Sequence, residues 1–377
     1  MVAAFSQVRP AIFAAKLAAL GLVMATAWAC SSATQSQPPP TPAAMPSLSS
    51  AAASQEPTIP DATATPLPSA TAKTTVTTPK PGFIPGPGMA PVPLPLAPGP
   101  PTPAPSPTTV TIVAAGDIAC DPATNVNQPA DCDQAATANQ IGQLAPTAVL
   151  TLGDNQYEDG TLAAFQSVFG STWGRYLSIM YPAIGNHEYL THGAAGYFTY
   201  FGFPPYYSFN LGDWHMISLD SECSAGGVGG CGRGSAQEKW LLADLAAHPS
   251  PCTLVYWHEP RWSSGEHGDA SQMTTIWADL VAANVDVVLT GHNHDYERFV
   301  PLDANGKPSP TGTTEFVVGT GGKNHYGFTT APLTGEVVRN DKSFGVIQMS
   351  LGPTGYSWKF VPAPGYTFTD SGSASCH

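Results

Sequence analysis

Apolar residues in this chain fall into short runs, and the runs share an ending. Residues 110–115, Val-Thr-Ile-Val-Ala-Ala, close on Gly116-Asp117, and residues 148–152, Ala-Val-Leu-Thr-Leu, close on Gly153-Asp154. Continuous apolar runs of this length, stopped by glycine, predict buried strands with an acid at the carboxyl end. Similar runs predict strands over 180–184, 215–219, 253–257, 285–289, 315–318, 345–350 and 357–361. Helix-favouring composition lies between them at 133–144, 237–247 and 272–283. Strand alternating with helix, then a late series of strands, predicts an α/β core with β-rich closing elements. The chain has no internal repeat.

The first third has another texture. Of 39 prolines, 22 lie between Ser31 and Thr108, so the pattern above belongs to residues 109–377 and predicts a single domain there. Residues 30–108 are rich in Pro, Thr, Ser and Ala and have too little apolar surface to offset chain entropy. Runs such as Pro91-Val92-Pro93-Leu94-Pro95 favour extended polyproline II, so this stretch reads as a disordered, semi-rigid tether. Before it, Arg9 and Lys16 precede an apolar run over 17–29 that ends Ala27-Trp28-Ala29-Cys30. A basic start, an apolar core and a small-x-small ending mark residues 1–29 as a secretory signal peptide. The run is shorter than the roughly 20 residues that span a bilayer.

Composition sharpens the picture at two points. The 14 Lys and Arg against 27 Asp and Glu give a net charge of -13, and residues 109–377 alone carry -15. A basic footprint for nucleic acid is missing, so no nucleic-acid partner is expected. A domain this acidic either repels anionic ligands or holds cations. The seven cysteines are Cys30, Cys120, Cys132, Cys223, Cys231, Cys252 and Cys376. If cleavage makes Cys30 the new N-terminus, the arrangement resembles a bacterial lipoprotein signal, with Cys30 lipidated and the protein membrane-anchored at the cell surface. Plain secretion with Cys30 unpaired is the alternative. The six remaining cysteines suit disulfides in an oxidising compartment. Sequence leaves 15 pairings open; loop closure favours Cys120 with Cys132 and Cys223 with Cys231, which leaves Cys252 with Cys376.

The candidate chemistry sits at the strand ends, where open α/β sheets bind ligands. Five motifs occur in order: Gly116-Asp117, Gly153-Asp154-Asn155-Gln156-Tyr157, Gly185-Asn186-His187-Glu188, Trp257-His258-Glu259-Pro260, and Gly291-His292-Asn293-His294-Asp295-Tyr296-Glu297-Arg298. Glycine ahead of the polar residue lets the backbone turn sharply and leaves room for an ion. His292 and His294, two apart on an extended segment, point the same way. Carboxylates, an amide, imidazoles and a phenol are hard or borderline donors, which suits two di- or trivalent ions better than one structural zinc.

These motifs resemble those of the calcineurin-like metallophosphoesterases and, through Gly-Asp-x-x-Tyr, Gly-Asn-His-Glu and Gly-His-x-His-x-Tyr-Glu-Arg, their purple acid phosphatase branch. The resemblance covers essentially all of residues 109–377. It implies a two-sheet β-sandwich flanked by helices with metals at one end. It also implies a dinuclear centre, with Asp117, Tyr157 and His294 on Fe(III), Asn186, His258 and His292 on a divalent Zn, Fe or Mn ion, and Asp154 between them. His187 and His267 match the branch's outer histidines, which bind substrate and protonate the leaving group. The implied activity is hydrolysis of small phosphomonoesters by in-line attack of a metal-bound hydroxide. A phosphodiesterase or nucleotidase on the same scaffold is one alternative; a non-catalytic surface protein whose working part is the tether is another. No protein partner follows from the sequence. His192, His215, His248 and His377 read as ordinary residues, and so does His325, although the Gly-rich run 319–322 before it could bring it near the substrate mouth.

Overall fold

The computed structural model describes residues 84–85, 109–120 and 132–377. The signal segment and Cys30, and the tether apart from 84–85, lie outside the described residues.

Two sheets form. The first has the order β14-β13-β12-β2-β3-β4, from β2 (Val110–Ala115), β3 (Ala148–Leu152), β4 (Met180–Ala183), β12 (Gly345–Gly352), β13 (Gly355–Pro362) and β14 (Ser371–Ser375). The second has the order β1-β5-β6-β7-β8-β10-β9-β11. Its strands are β1 (Ile84–Pro85), β5 (Tyr207–Leu211), β6 (Trp214–Ser218), β7 (Cys252–Tyr256), β8 (Val287–Thr290), β9 (Tyr296–Phe299), β10 (Thr314–Val318) and β11 (Glu336–Asn340). The strands β2, β3 and β4 run parallel, as do β6, β7 and β8. Each parallel set therefore delivers its carboxyl ends to one edge of its sheet, and the predicted ligand motifs follow those ends.

Alternation along the strands decides which layer each side chain joins. In β6 and β7, Trp214, Met216, Leu254 and Tyr256 enter the core between the sheets with Ile112, Leu150, Ile347 and Met349. Their odd-numbered neighbours Ile217, Val255 and Trp257 face outward and pack with Leu241, Ile276, Trp277 and Leu280. Those partners come from α4 (Ala236–Ala247) and α5 (Thr274–Ala282). α4 opens on an N-cap: the Ser235 side chain accepts the Glu238 N–H at 3.2 Å, and the Glu238 carboxylate reaches back to accept the Gly234 N–H at 3.1 Å. On the other sheet, α1 (Gln134–Leu144) ends at Ala145 in the left-handed region, just before Pro146. The result is a helix-flanked two-sheet sandwich.

Three disulfides join Cys120 to Cys132, Cys223 to Cys231 and Cys252 to Cys376. The third ties β7 of one sheet to the residue after β14 of the other.

The predicted strands and helices all form, some shifted by a residue or two. Sequence reading missed β1, which lies within the stretch read as a disordered tether, together with β5, β9, β11 and β14, and the short helical turns over 162–201 that include α2 (Leu162–Ala164) and α3 (Ala195–Phe201).

Candidate metal centre

Asp117 and Asp154 follow β2 and β3, Asn186 follows β4, His258 follows β7, and His292 and His294 follow β8. The two sheets meet here through main-chain bonds, such as Gly116 N–H to the Val318 carbonyl at 2.9 Å. Three of the side chains sit on backbone in the left-handed region: Asp117 (φ 58°), Asp154 (φ 45°) and His292 (φ 68°). Non-glycine residues hold this conformation at a cost of about 1–3 kcal/mol each, and such strain concentrates at functional sites.

The Tyr157 hydroxyl lies 2.8 Å from Asp117 Oδ1, 2.9 Å from Asp154 Oδ2 and 2.9 Å from His294 Nε2. His294 donates its Nδ1–H to the Asn324 carbonyl at 2.5 Å, which leaves Nε2 as a lone pair. One phenolic proton therefore faces two carboxylates and an imidazole lone pair, too many acceptors for one hydrogen. A cation among them satisfies all four donors.

The second half repeats the argument. His258 donates Nδ1–H to the Leu152 carbonyl at 2.8 Å, so its Nε2 is also a lone pair. That nitrogen faces Asn186 Oδ1 at 3.0 Å, His292 Nδ1 at 3.2 Å and Asp154 Oδ1 at 3.3 Å. Lone pairs converging at these distances repel unless a proton or a cation lies between them. Asp154 thus turns one oxygen toward each half, and Asp154, His258 and His292 lie close enough to share one ion. The residues present fit a dinuclear centre.

Protonation follows the same geometry. Burial alone would lift the Asp117 and Asp154 carboxyls, but positive charge shared with the imidazoles, His294 for Asp117 and His258 for Asp154, outweighs it and holds both below the usual range. Burial, then the charges of Asp117 and Asp154, pushes the Tyr157 hydroxyl well above an ordinary phenol. Burial would lower His258, yet Asp154 and Asp117 raise it; His292 is pushed down to about 3 by burial and by His258 beside it. Two touching imidazoles are driven in opposite directions, as expected where only one positive charge can enter.

Supporting groups hold the loops. The buried Glu188 carboxylate accepts main-chain N–H groups from Asn155 (2.8 Å), Gln156 (3.2 Å) and Gly185 (2.8 Å), joining the Asp154 and Asn186 loops. Asn293 accepts the His267 N–H at 2.8 Å and donates to Ser263 Oγ at 2.7 Å, while the Glu297 carboxylate accepts the Ser264 N–H at 2.8 Å. Glu188, Asn293 and Glu297 lie inside the motifs, but their sequence positions gave no sign of this bracing role.

His187 and His267 stand at the rim. His187 gives its main-chain N–H to Asp154 Oδ1 at 2.9 Å, and its Nδ1 meets the Glu158 carbonyl at 2.5 Å, which leaves Nε2 as the acceptor. Its ring centre lies 4.4 Å from that of Tyr157. The His267 ring lies 4.5 Å from His292, in the wall of a cavity of about 60 Å³ that also includes Glu259 and Asp269. Burial and the neighbouring His294 lower its basicity.

Sequence reading passed over Lys323 and Tyr326. The Tyr326 ring stacks on His294 at 4.0 Å, and the Lys323 ammonium lies 4.9 Å from the centre of the Tyr157 ring. His325, between them, turns away from the mouth: Nδ1 bonds the His294 carbonyl at 2.9 Å and the ring stacks on Phe344.

Two other groups of potential ligands occur among the described residues. His215, Asp244 and His248 satisfy one another and the Ser208 hydroxyl as a buried tie between sheet and α4. Cys252 and Cys376, grouped with Asp286, are spent in a disulfide.

Residues 110–296 match the family model described as calcineurin-like phosphoesterase. Purple acid phosphatase 18 of Arabidopsis thaliana is 35% identical over 123 residues, covering 31% of this chain and 26% of that protein. Purple acid phosphatase 22 of the same plant is 34% identical over 127 residues, with 31% and 27% covered. The matched region thus spans about a quarter of these relatives' length. Among solved structures, the purple acid phosphatase PPD1 from yellow lupin seeds superposes with a TM-score of 0.59 at 19% identity, over 71% of this chain and 54% of that one. GAP50, described as the anchor in the inner membrane complex of Plasmodium, superposes at 0.54 with 14% identity, over 70% and 88%. Both share the fold.

Proposed function

Because the chain belongs, through residues 110–296, to the calcineurin-like phosphoesterase family and to its purple acid phosphatase-like branch, we propose that it is a phosphatase that hydrolyses small phosphomonoesters at a dinuclear centre. In this reading Asp117, Tyr157 and His294 hold Fe(III), Asn186, His258 and His292 hold a divalent ion, and Asp154 bridges them. The observation that carries it is the Tyr157 hydroxyl, whose one proton faces Asp117, Asp154 and His294 at hydrogen-bonding distance. Two such ions supply charge neutralisation for a phosphoryl group and a water acidic enough to ionise near neutral pH.

The chain's own residues do the rest. His187 holds Nε2 3.9 Å from Asp154 Oδ2 with Nδ1 tied to the Glu158 carbonyl, so it accepts the proton of a phosphoryl oxygen that carries one and orients that oxygen beside the centre. His267, in the small cavity beside His292, delivers the proton that the departing alkoxide needs. Glu188 and Asn293 keep the two loops in register. Residues 109–377 form the catalytic domain. The three disulfides favour an oxidising compartment, which agrees with export by the 1–29 signal and attachment through lipidated Cys30 on the 30–108 tether.

The test is metal content and turnover on the full chain. Two ions per chain, with p-nitrophenyl phosphate cleaved faster than its bis ester, support the reading. A faster bis ester makes the protein a phosphodiesterase. Two ions without turnover on either ester make it a non-catalytic protein.

A further inference from the structure

Lys323 is the one ammonium or guanidinium, among the described residues, that contacts a side chain of the proposed ligand set. Its side chain is 9% exposed, and its ammonium lies over the Tyr157 ring at 4.9 Å from the centre while pairing with the Glu158 carboxylate. The position is fixed through the backbone. Lys323 N–H donates to the Asp117 carbonyl at 2.9 Å, and Gly321 N–H donates to the Gly116 carbonyl at 2.9 Å. Lys323 also bridges to Cys132, itself tied to Cys120. The backbone that carries this cation is therefore tied to the segment that carries Asp117, and the Glu158 carboxylate and the Tyr157 ring hold its ammonium.

The ion pair is asymmetric. Lys323 is buried, whereas the Glu158 side chain is 54% exposed. Solvent screens the exposed charge more than the buried one, so the pair presents a net positive field to the ring. A cation over an aromatic face attracts its π electrons, most strongly where water is excluded.

We propose that Lys323 is the counter-charge of the Tyr157 phenolate and sets how strongly that phenolate donates to Fe(III), with Glu158 tempering it. The inference rests on the ferric reading of Tyr157. Lys323 touches no reacting atom; it acts through Tyr157, as outer groups tune metal sites by charge and hydrogen bonding. By holding back donation it leaves the ferric ion a stronger Lewis acid. The same field affects colour. Charge transfer moves electron density from the phenolate to the iron, and a positive charge over the ring opposes that movement, raising the transition energy.

The test is the visible band of the iron-loaded full chain, with metal content measured beside it. Lys323→Met is expected to move the band to longer wavelength, Glu158→Gln to shorter wavelength, and Lys323→Arg, which keeps the charge, to leave it near the wild-type position. Should Lys323→Met fail to fold, the Glu158→Gln shift alone supports the inference. A wild-type band that neither variant moves overturns this inference and leaves the ferric reading intact. An iron-loaded wild type without a band overturns both.

Discussion

The His258 side chain lies against Gly153, so closely that a methyl group added there would fall 2.5 Å from Nδ1. Gly153 also holds φ at 83°, outside the range of most side chains. Gly153→Ala is therefore expected to push His258 off the Leu152 carbonyl. The expected outcome is loss of the divalent ion with retention of the ferric one, and a stability loss of about 1–3 kcal/mol. Metal analysis with urea denaturation checks both.

Asp154 and Tyr157 separate two kinds of damage. Asp154→Ala removes the group facing both halves and is expected to lose both ions. Tyr157→Phe removes one oxygen and is expected to abolish visible absorption while the divalent ion stays. Absorption spectra with metal stoichiometry distinguish the two results, and unchanged metal content in Asp154→Ala would sink the bridging role.

His267 is expected to matter in proportion to the leaving group. With an alkyl phosphate the alkoxide needs a proton, so His267→Ala should lower kcat by about 10²–10⁴-fold. With p-nitrophenyl phosphate the phenolate departs unaided and the loss should be much smaller. Equal losses on both substrates would assign His267 to binding instead.

Glu222, beside Glu259 and within reach of the charge on His258, predicts a pH dependence of stability. Burial, then the charge of Glu259, pushes its carboxyl from 4.5 up to about 9. Between those values the folded chain keeps a proton that the unfolded chain has lost. Its contribution is therefore fully present below pH 4.5 and is lost as pH rises toward 9. Glu222→Gln should flatten the decline in unfolding free energy between pH 5 and 9, measured by denaturant titration.

Much of the site was legible because a ligand motif is local. Gly153-Asp154 and Gly291-His292 each follow an apolar run, and a buried parallel strand ending in a polar residue has little else to be. Lys323 and Tyr326 were not legible, because their relation to Tyr157 and His294 depends on where the turn over 319–322 lands. The missed strands fail for a similar reason. β14 is Ser-Gly-Ser-Ala-Ser and carries no apolar signal; it forms because β13 offers it an edge. β9 buries Glu297, whose charge conceals the strand until Ser263 and Ser264 are seen to satisfy it. The turns over 162–201 lack helical periodicity and are held by Phe165, Phe169 and Trp173 packing into the core.

The proposed ligands come from both sheets: Asp117, Asp154 and Asn186 from one, His258, His292 and His294 from the other. Ions held there would work as rivets across a seam that main-chain bonds such as Gly116 to Val318 and Gly345 to Thr320 already join. Stability would then follow metal supply by mass action, each ion adding about 2.7 kcal/mol at a hundredfold excess over its Kd. A chelator would loosen the sandwich from the catalytic end first, leaving the Cys252–Cys376 bridge as the remaining clasp. Faster amide hydrogen exchange at the ends of β3 and β7, ahead of β12 and β13, is the signature to look for.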